Sequence, residues 1–310
     1  MTEPLRIGTR GSPLALVQAE EVRARLAEIA PDRAIEIVHI RTTGDRVRDR
    51  LLAEIGGKGL FTKEIEQALF DRTIDLAVHS MKDVETYLPD GLCIAAVLPR
   101  EDPRDALICA TADTLAGIPA GATIGTASIR RQAQILHRRP DLKVVPFRGN
   151  VETRLRKIAD GEATATLLAV AGLRRLGLTG AAAGVLEPEE LLPAAAQGAI
   201  GLETRADDTA TRDLAAAIDD PDSALCIGVE RAMLAALDGS CLTPIGALAV
   251  IDRAGDPPTG LVTLDGLVAR PDGTELNRER RQSAAADALA MGTELGAALR
   301  ARMGSDFFAA

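Results

Sequence analysis

The chain runs to 310 residues, more than a single core usually spans, so two or more domains are expected. Hydrophobic residues make up 46% and charged ones 26%, which excludes disordered and fibrous classes, and with no Trp and 2% aromatics the core must be aliphatic. A formal net charge of -9 argues against general attraction to nucleic acid or an anionic membrane, so any anionic ligand must be met by a local basic cluster.

No apolar run approaches the roughly 18 residues of a spanning helix, and MTEPLRIGTR lacks the basic-then-apolar start of a signal peptide, so a cytoplasmic protein with no membrane partner is expected. The four cysteines (Cys93, Cys109, Cys226, Cys241) and three histidines (His39, His79, His137) show no metal-ligand spacing, so neither a metal site nor a disulfide framework is expected.

In chain order, SPLALVQAEEVRARLAEIA reads as a helix with Leu14, Val17, Leu26 and Ile29 near one face. AIEIVHIRT is a strand, and KGLFTKEIEQALF is a helix turning Leu60, Phe61, Ile65, Ala68 and Leu69 inward. IDLAVHS, LCIAAVL, DALICA, ATIGTA, LKVVPFRG and ATATLLAVAG follow as strands, the alternation of a doubly wound α/β protein. LPREDPRD, Leu98 to Asp105, breaks the style and marks a crossing between two α/β units; DDPDS, from Asp219, marks a second break. Beyond it SALCIGVERAMLAALDG is an apolar helix closed by Gly239, and IGALAVID and GLVTLDGLVARPDGTEL are antiparallel strands, the last turning at Pro271-Asp272-Gly273. The C-terminal region therefore reads as a smaller α+β domain.

Polar groups gather where strands end, the place where open α/β sheets bind ligands. DLAVHSMKD delivers His79, Ser80, Lys82 and Asp83; GTASIRRQAQ delivers Thr126, Ser128, Arg130 and Arg131; FRGNVETRLRK delivers Arg148, Gly149, Asn150 and Arg154; GTRGSPLA delivers Arg10 and Ser12. In an acidic chain, repeated pairing of arginine with hydroxyl groups points to a ligand bearing several carboxylates. GGKGLF fails the phosphate-loop pattern, because Leu52 stands at the first glycine position and Gly59 follows Lys58; Lys58 is read as a side chain able to reach over a cleft. Cys93, Cys109 and Cys226 lie in apolar runs and are expected to be buried small hydrophobes. Cys241 differs, standing in the polar loop GSCLTPIG without a positioned histidine in the sequence, so a covalent anchor suits it better than a turnover nucleophile.

Together GTRGSPLALVQA, GGKGLFTKEIE, DLAVHSMKD, GTASIRRQAQ, RGNVETRL, LLAVAGLRRLGL, LPAAAQGAIGLETR and GSCLTPIGA resemble the porphobilinogen deaminase (hydroxymethylbilane synthase) family in order and spacing. The resemblance implies an α/β fold of three domains, two doubly wound and arranged like a periplasmic solute-binding protein of type II, the third small and α+β with an antiparallel sheet. It implies domain 1 at 1–99 plus 200–219, domain 2 at 100–199 and domain 3 at 220–310, the chain returning to domain 1 from about Gln197. It further implies a transferase that joins four porphobilinogens head to tail with loss of ammonia, then releases hydroxymethylbilane by hydrolysis. Cys241 would hold a dipyrromethane cofactor by a thioether and Asp83 would be the catalytic carboxylate. Arg10, Lys82, Arg130, Arg131, Arg148, Arg154 and Arg175 would pair with pyrrole carboxylates, assisted by Ser12, Ser80, Thr126, Ser128 and Gly149, with Lys58, His79 and Gln197 lining the cleft. A monomer with porphobilinogen as its partner is implied. The chain departs from the pattern at Glu85 (usually Pro), Ala196 (usually Gly), Ala127 (usually Ser) and Ser240 (often Gly). The rival expectation is a non-catalytic anionic-solute-binding or sensor module, since the same architecture hosts both.

Overall fold

Aliphatic runs set the first sheet. Leu5–Arg10 (β1) and Ile35–Ile40 (β2) pair in parallel, Leu5 opposite Ile35 and Arg10 opposite Ile40. The structure, a computed structural model, describes residues 3–46, 62–239, 243–253, 259–304 and 306–308. The chain forms two compact units: the first takes in 3–46, 62–101 and 198–224, the second 102–197 and 225–308.

In the first unit β1 also pairs in parallel with Leu76–Ser80 (β3), while Ile200–Arg205 (β10) runs antiparallel between β3 and Leu92–Val97 (β4), giving the order β2-β1-β3-β10-β4. Pro13–Ile29 (α1) and Thr209–Ala216 cover one face through Ala19, Val22, Leu26 and Ala215; Lys63–Phe70 (α2) covers the other through Ile65 and Leu69. The face α1 buries is Gln18, Ala19, Val22 and Leu26, whereas Val17 and Ile29, expected inside, are exposed. The alanine-rich helix offers two stripes, and the sheet selects the one whose small Ala19 allows close approach.

The second unit repeats this order. Asp105–Cys109 (β5), Thr123–Gly125 (β6), Lys143–Val145 (β7), Ala165–Ala169 (β8) and Gly184–Leu186 (β9) lie as β7-β6-β8-β5-β9, with β6 parallel to β7 and β8, and β5 antiparallel to β8 and β9. Ile129–Arg138 (α3) packs on one face through Ile135, and Val151–Ala159 (α4) with Val170–Arg175 (α5) on the other. In each sheet the antiparallel strand is the one that arrives from the other unit's stretch of sequence, β5 after β4 and β10 after β9. This is the doubly wound, type II binding-protein topology. ATATLLAVAG, expected as one strand, turns helical at Val170, where Gly172 and the end of the ladder to β5 leave the helix free to start.

The return to the first unit requires glycine at 198: its φ is +94°, and a Cβ there would stand 2.3 Å from the Glu101 carbonyl oxygen. Further along, Pro221–Ala236 (α6) and Ala288–Arg300 (α7) pack on the antiparallel meander Ile245–Ile251 (β11), Leu261–Ala269 (β12) and Leu276–Ala284 (β13), around Val229, Met233, Val262, Leu264 and Leu295. α6 ends in a left-handed residue, but that residue is Asp238 (φ +50°) rather than Gly239. Gly239 is needed for space: its Cβ would fall 2.4 Å from Ile245. Of the described cysteines only Cys226 is buried; Cys93 and Cys109 are half-buried beside Thr204 and Thr111, contrary to expectation.

Ala196, where the resembled family has glycine, is left-handed at φ +62° and buried, its N–H donating to Glu230 Oε2 at 2.5 Å. A left-handed alanine costs about 1–2 kcal/mol, against about 0.5–1 kcal/mol of added chain entropy for glycine. Ala196→Gly is therefore expected to stabilise the fold by up to about 1 kcal/mol in denaturant unfolding; a loss of stability would show that the turn is not strained.

Candidate active site

β1 and β3 are parallel neighbours, so their carboxyl ends meet at one edge of the first sheet. After β1 the chain turns through Ser12, whose Oγ accepts the Ala15 N–H at 3.3 Å and caps α1. After β3 it turns through Met81–Asp83, the Met81 N–H donating to the Ala199 carbonyl. Between the two turns lies a cavity of about 60 Å³ lined by Arg10, Ser12, Gln18, His79, Ser80 and Asp83. That is room for several water-sized groups. Ser80 and Gln18 exchange hydrogen bonds, Gln18 Nε2 donating to Ser80 Oγ at 2.9 Å and Ser80 Oγ lying 3.0 Å from Gln18 Oε1. Lys82 and Asp83 are half-buried.

Behind the cavity His79 Nε2 lies 2.9 Å from Glu203 Oε2. His79 faces Gly201 across the β3–β10 ladder, which sets Glu203 two residues along on the same face of the sheet. Glu203 is 0% exposed. Glu66 on α2 is also buried, and burial pushes its carboxyl up.

The second unit holds the arginine-rich residues. β6 ends at Gly125, Thr126 Oγ1 accepts the Ser128 N–H at 3.1 Å, and Ser128 Oγ accepts the Arg131 N–H at 3.4 Å, opening α3. The two arginines that follow face inward, each 5% exposed. Arg131 grips Asp105 through Nε at 3.2 Å and Nη2 at 2.7 Å and donates to the Leu167 carbonyl; Arg130 donates to Asp105 Oδ2 at 2.8 Å and to the Leu192 carbonyl. Gln197 Nε2 adds a bond to Asp105 Oδ1 at 2.8 Å. Burial alone would raise the Asp105 pKa, but the charges and hydrogen bonds of Arg131 and Arg130 outweigh it and hold the carboxyl well below its ordinary range. Gly149 is at φ +129° with its carbonyl accepting from Arg154 Nε at 2.9 Å, and Asn150 caps α4 through the Thr153 N–H. Arg148, Arg154 and Arg175 are half-buried.

Thus Arg10, Ser12, His79, Ser80 and Asp83 share one cavity, and Arg130, Arg131 and Gln197 share one carboxylate. Lys58 and Cys241 lie outside the described residues. The sequence reading missed Gln18, Asp105, Glu66 and Glu203. A charge in an otherwise apolar strand, as in DALIC, is the signal that marks Asp105.

A family model described as "Porphobilinogen deaminase, dipyromethane cofactor binding domain" matches residues 5–213, and "Porphobilinogen deaminase, C-terminal domain" matches 224–301. The chain belongs to the porphobilinogen deaminase family. It is 56% identical to "Porphobilinogen deaminase" of Paracoccus denitrificans over 98% of this chain and 96% of that one. It is 55% identical to the protein of that name from Nitrobacter winogradskyi, over 97% and 94%. It is 50% identical to "Porphobilinogen deaminase, chloroplastic" of Oryza sativa, over 98% and 85%. The family is one of transferases built around a dipyrromethane cofactor, and membership displaces the reading of a non-catalytic binding module.

Removing the Asp105 charge leaves two buried guanidiniums without their partner, so Asp105→Asn is expected to lower stability by roughly 3–5 kcal/mol at neutral pH. Because the folded pKa of Asp105 is depressed, its contribution is present above the unfolded value of about 3.9 and lost as pH falls below it. Denaturant unfolding of both proteins should therefore show a gap that holds from about pH 7 to 5 and narrows below about 4; a gap that does not change with pH would contradict this.

Proposed function

We propose that this chain performs the porphobilinogen deaminase reaction with Asp83 as the group at the reacting carbon and its strand-end arginines as the carboxylate binders. The observation that carries the reading is the shared cavity, in which Asp83 stands with Arg10 and Ser80 at the carboxyl ends of β1 and β3. Asp83 is suited to an aminomethylpyrrole on physical grounds. Its carboxylate stabilises positive charge that grows as the C–N bond breaks, its acid form assists departure of the amine, and the carboxylate then accepts a proton.

Each pyrrole carries an acetate and a propionate, and an always-charged planar guanidinium suits them. Arg10 and Lys82 of the first unit and Arg148, Arg154 and Arg175 of the second are assigned this work, with Ser12, Ser80, Thr126, Ser128 and the backbone of Gly149. Arg130 and Arg131 act differently, since their donors are largely taken by Asp105 and carbonyls. Two guanidiniums against one carboxylate leave the cluster cationic, so they supply a fixed positive field and a rigid α3, with Gln197 completing the clamp.

These donors suit a dipyrromethane bearing several carboxylates, and the reading assigns Cys241 as its thioether anchor and Lys58 as a further cation. When bound, that group supplies the pyrrole carbon that receives the first substrate. The aliphatic cluster under β11-β12-β13 supports a third domain at 220–310, with domain 1 at 1–99 plus 200–219 and domain 2 at 100–199. The reading includes a cytoplasmic chain acting as a monomer without nucleic acid, which sedimentation of the purified protein tests.

Asp83→Asn is expected to lower kcat for porphobilinogen consumption by about 100-fold or more with KM little changed, and an unaltered kcat would remove Asp83 from the chemistry. The denatured wild-type chain should be heavier than its polypeptide by two porphobilinogens less two ammonia molecules, and Cys241→Ser should lack that excess; equal masses would remove the anchor.

A further inference from the structure

The helix α3 carries Arg130 and Arg131 on a length of only 10 residues. So short a helix is held in place by what it packs against. Its Ile135 side rests on the second sheet, beside Leu107 and Leu167, and its Ala133 side rests on the C-terminal meander, beside Leu248, Leu267 and Ala269. The turn between β12 and β13 also touches it. Gln132 Nε2 donates to the Pro271 carbonyl at 3.1 Å, and His137 Nδ1 lies 2.9 Å from the Gly273 carbonyl oxygen, which only accepts, so Nδ1 carries the proton. Gly273 is buried at φ +77°, and a Cβ there would stand 2.5 Å from the His137 nitrogen and 2.8 Å from the Ala133 carbonyl oxygen. The turn therefore lies directly on the helix backbone. A second grip comes through Leu192, whose N–H donates to Gln134 Oε1 at 2.8 Å and whose carbonyl accepts from Arg130 and Gln134. The next carbonyl, that of Pro193, accepts the Ala247 N–H of β11 at 3.0 Å.

We propose that the Pro271–Gly273 turn positions the arginine pair of α3, so that the C-terminal meander sets where Arg130 and Arg131 stand, with Gln132, His137 and Gly273 as positioning residues. The inference rests on the reading that this pair supplies the positive field for pyrrole carboxylates. All of these residues belong to the second unit. Ala133, against which the turn presses, stands within one helical turn of both arginines, and a close-packed interior passes a displacement on to its neighbours. The field at a bound carboxylate falls as the guanidiniums move away, so a disturbed turn weakens binding. Asp83 belongs to the first unit and keeps its own cavity, so the chemical step is spared.

Gly273→Ala is expected to raise KM for porphobilinogen about 10-fold per cofactor-loaded molecule with kcat unchanged. Gln132→Leu combined with His137→Leu removes both hydrogen bonds without adding a clash and should raise KM roughly 3-fold. His137→Asn keeps an N–H donor near the Nδ1 position and should retain the wild-type KM. Independently of turnover, amide hydrogen exchange in residues 129–138 should quicken about 10-fold in Gly273→Ala, and that in residues 63–70 of the first unit should not. Val262→Ala, in the other core of the meander, is the control that costs stability and leaves KM as it was. A KM unchanged in both turn variants, a fall in kcat in place of the rise in KM, unaltered exchange in α3, or a KM raised equally by Val262→Ala overturns the proposal. A wild-type chain that carries cofactor but consumes no porphobilinogen would instead sink the reading on which the inference rests.

Discussion

Asp105 is the point on which the second unit closes. It begins β5, the strand with which the chain enters that unit, and it binds Gln197, the last residue before the chain leaves it. Between entry and exit it fixes both arginines of α3, which in turn hold the carbonyls of Leu167 on β8 and of Leu192. One carboxylate thus joins a strand, a helix and the departing chain. Taking such charges out of water costs several kcal/mol per ion and is tolerated only with near-complete pairing, which this cluster has. Its remaining positive charge lies in a chain whose overall charge is negative, so attraction for anions is local.

The first unit uses the opposite sign. There a histidine and two carboxylates are buried behind a small cavity, and the arginine at the mouth comes from β1. Both arrangements follow from the same topology: parallel strands finish at a common edge, and an antiparallel strand from elsewhere in the sequence inserts beside them. β10 brings Glu203 to His79, and β5 brings Asp105 to α3. The crossing strands therefore carry the charges that complete each cluster.

Much of this was legible in the sequence. Alternation of apolar strands and helices gave both doubly wound sheets. The strand-end motifs gave Arg10, Ser80 and Asp83 as neighbours. What stayed hidden depends on packing. In α1 an alanine-rich helix has apolar residues on more than one side, so Val17 and Ile29 read as core although the sheet takes Ala19 and Val22. Arg130 and Arg131 read as binders of ligand carboxylates, and their partner Asp105 stayed hidden because it is brought beneath them by a strand some twenty-five residues earlier. Glu203 and Glu66 could not be recognised as buried without knowing which strand would lie beside β3.

The most direct test of the account is the stoichiometry of the purified chain with porphobilinogen alone. The account predicts one ammonia released for every porphobilinogen consumed, with a linear tetrapyrrole as the product. Saturable binding of porphobilinogen without release of ammonia would contradict it and return the strand-end arginines to a binding role only.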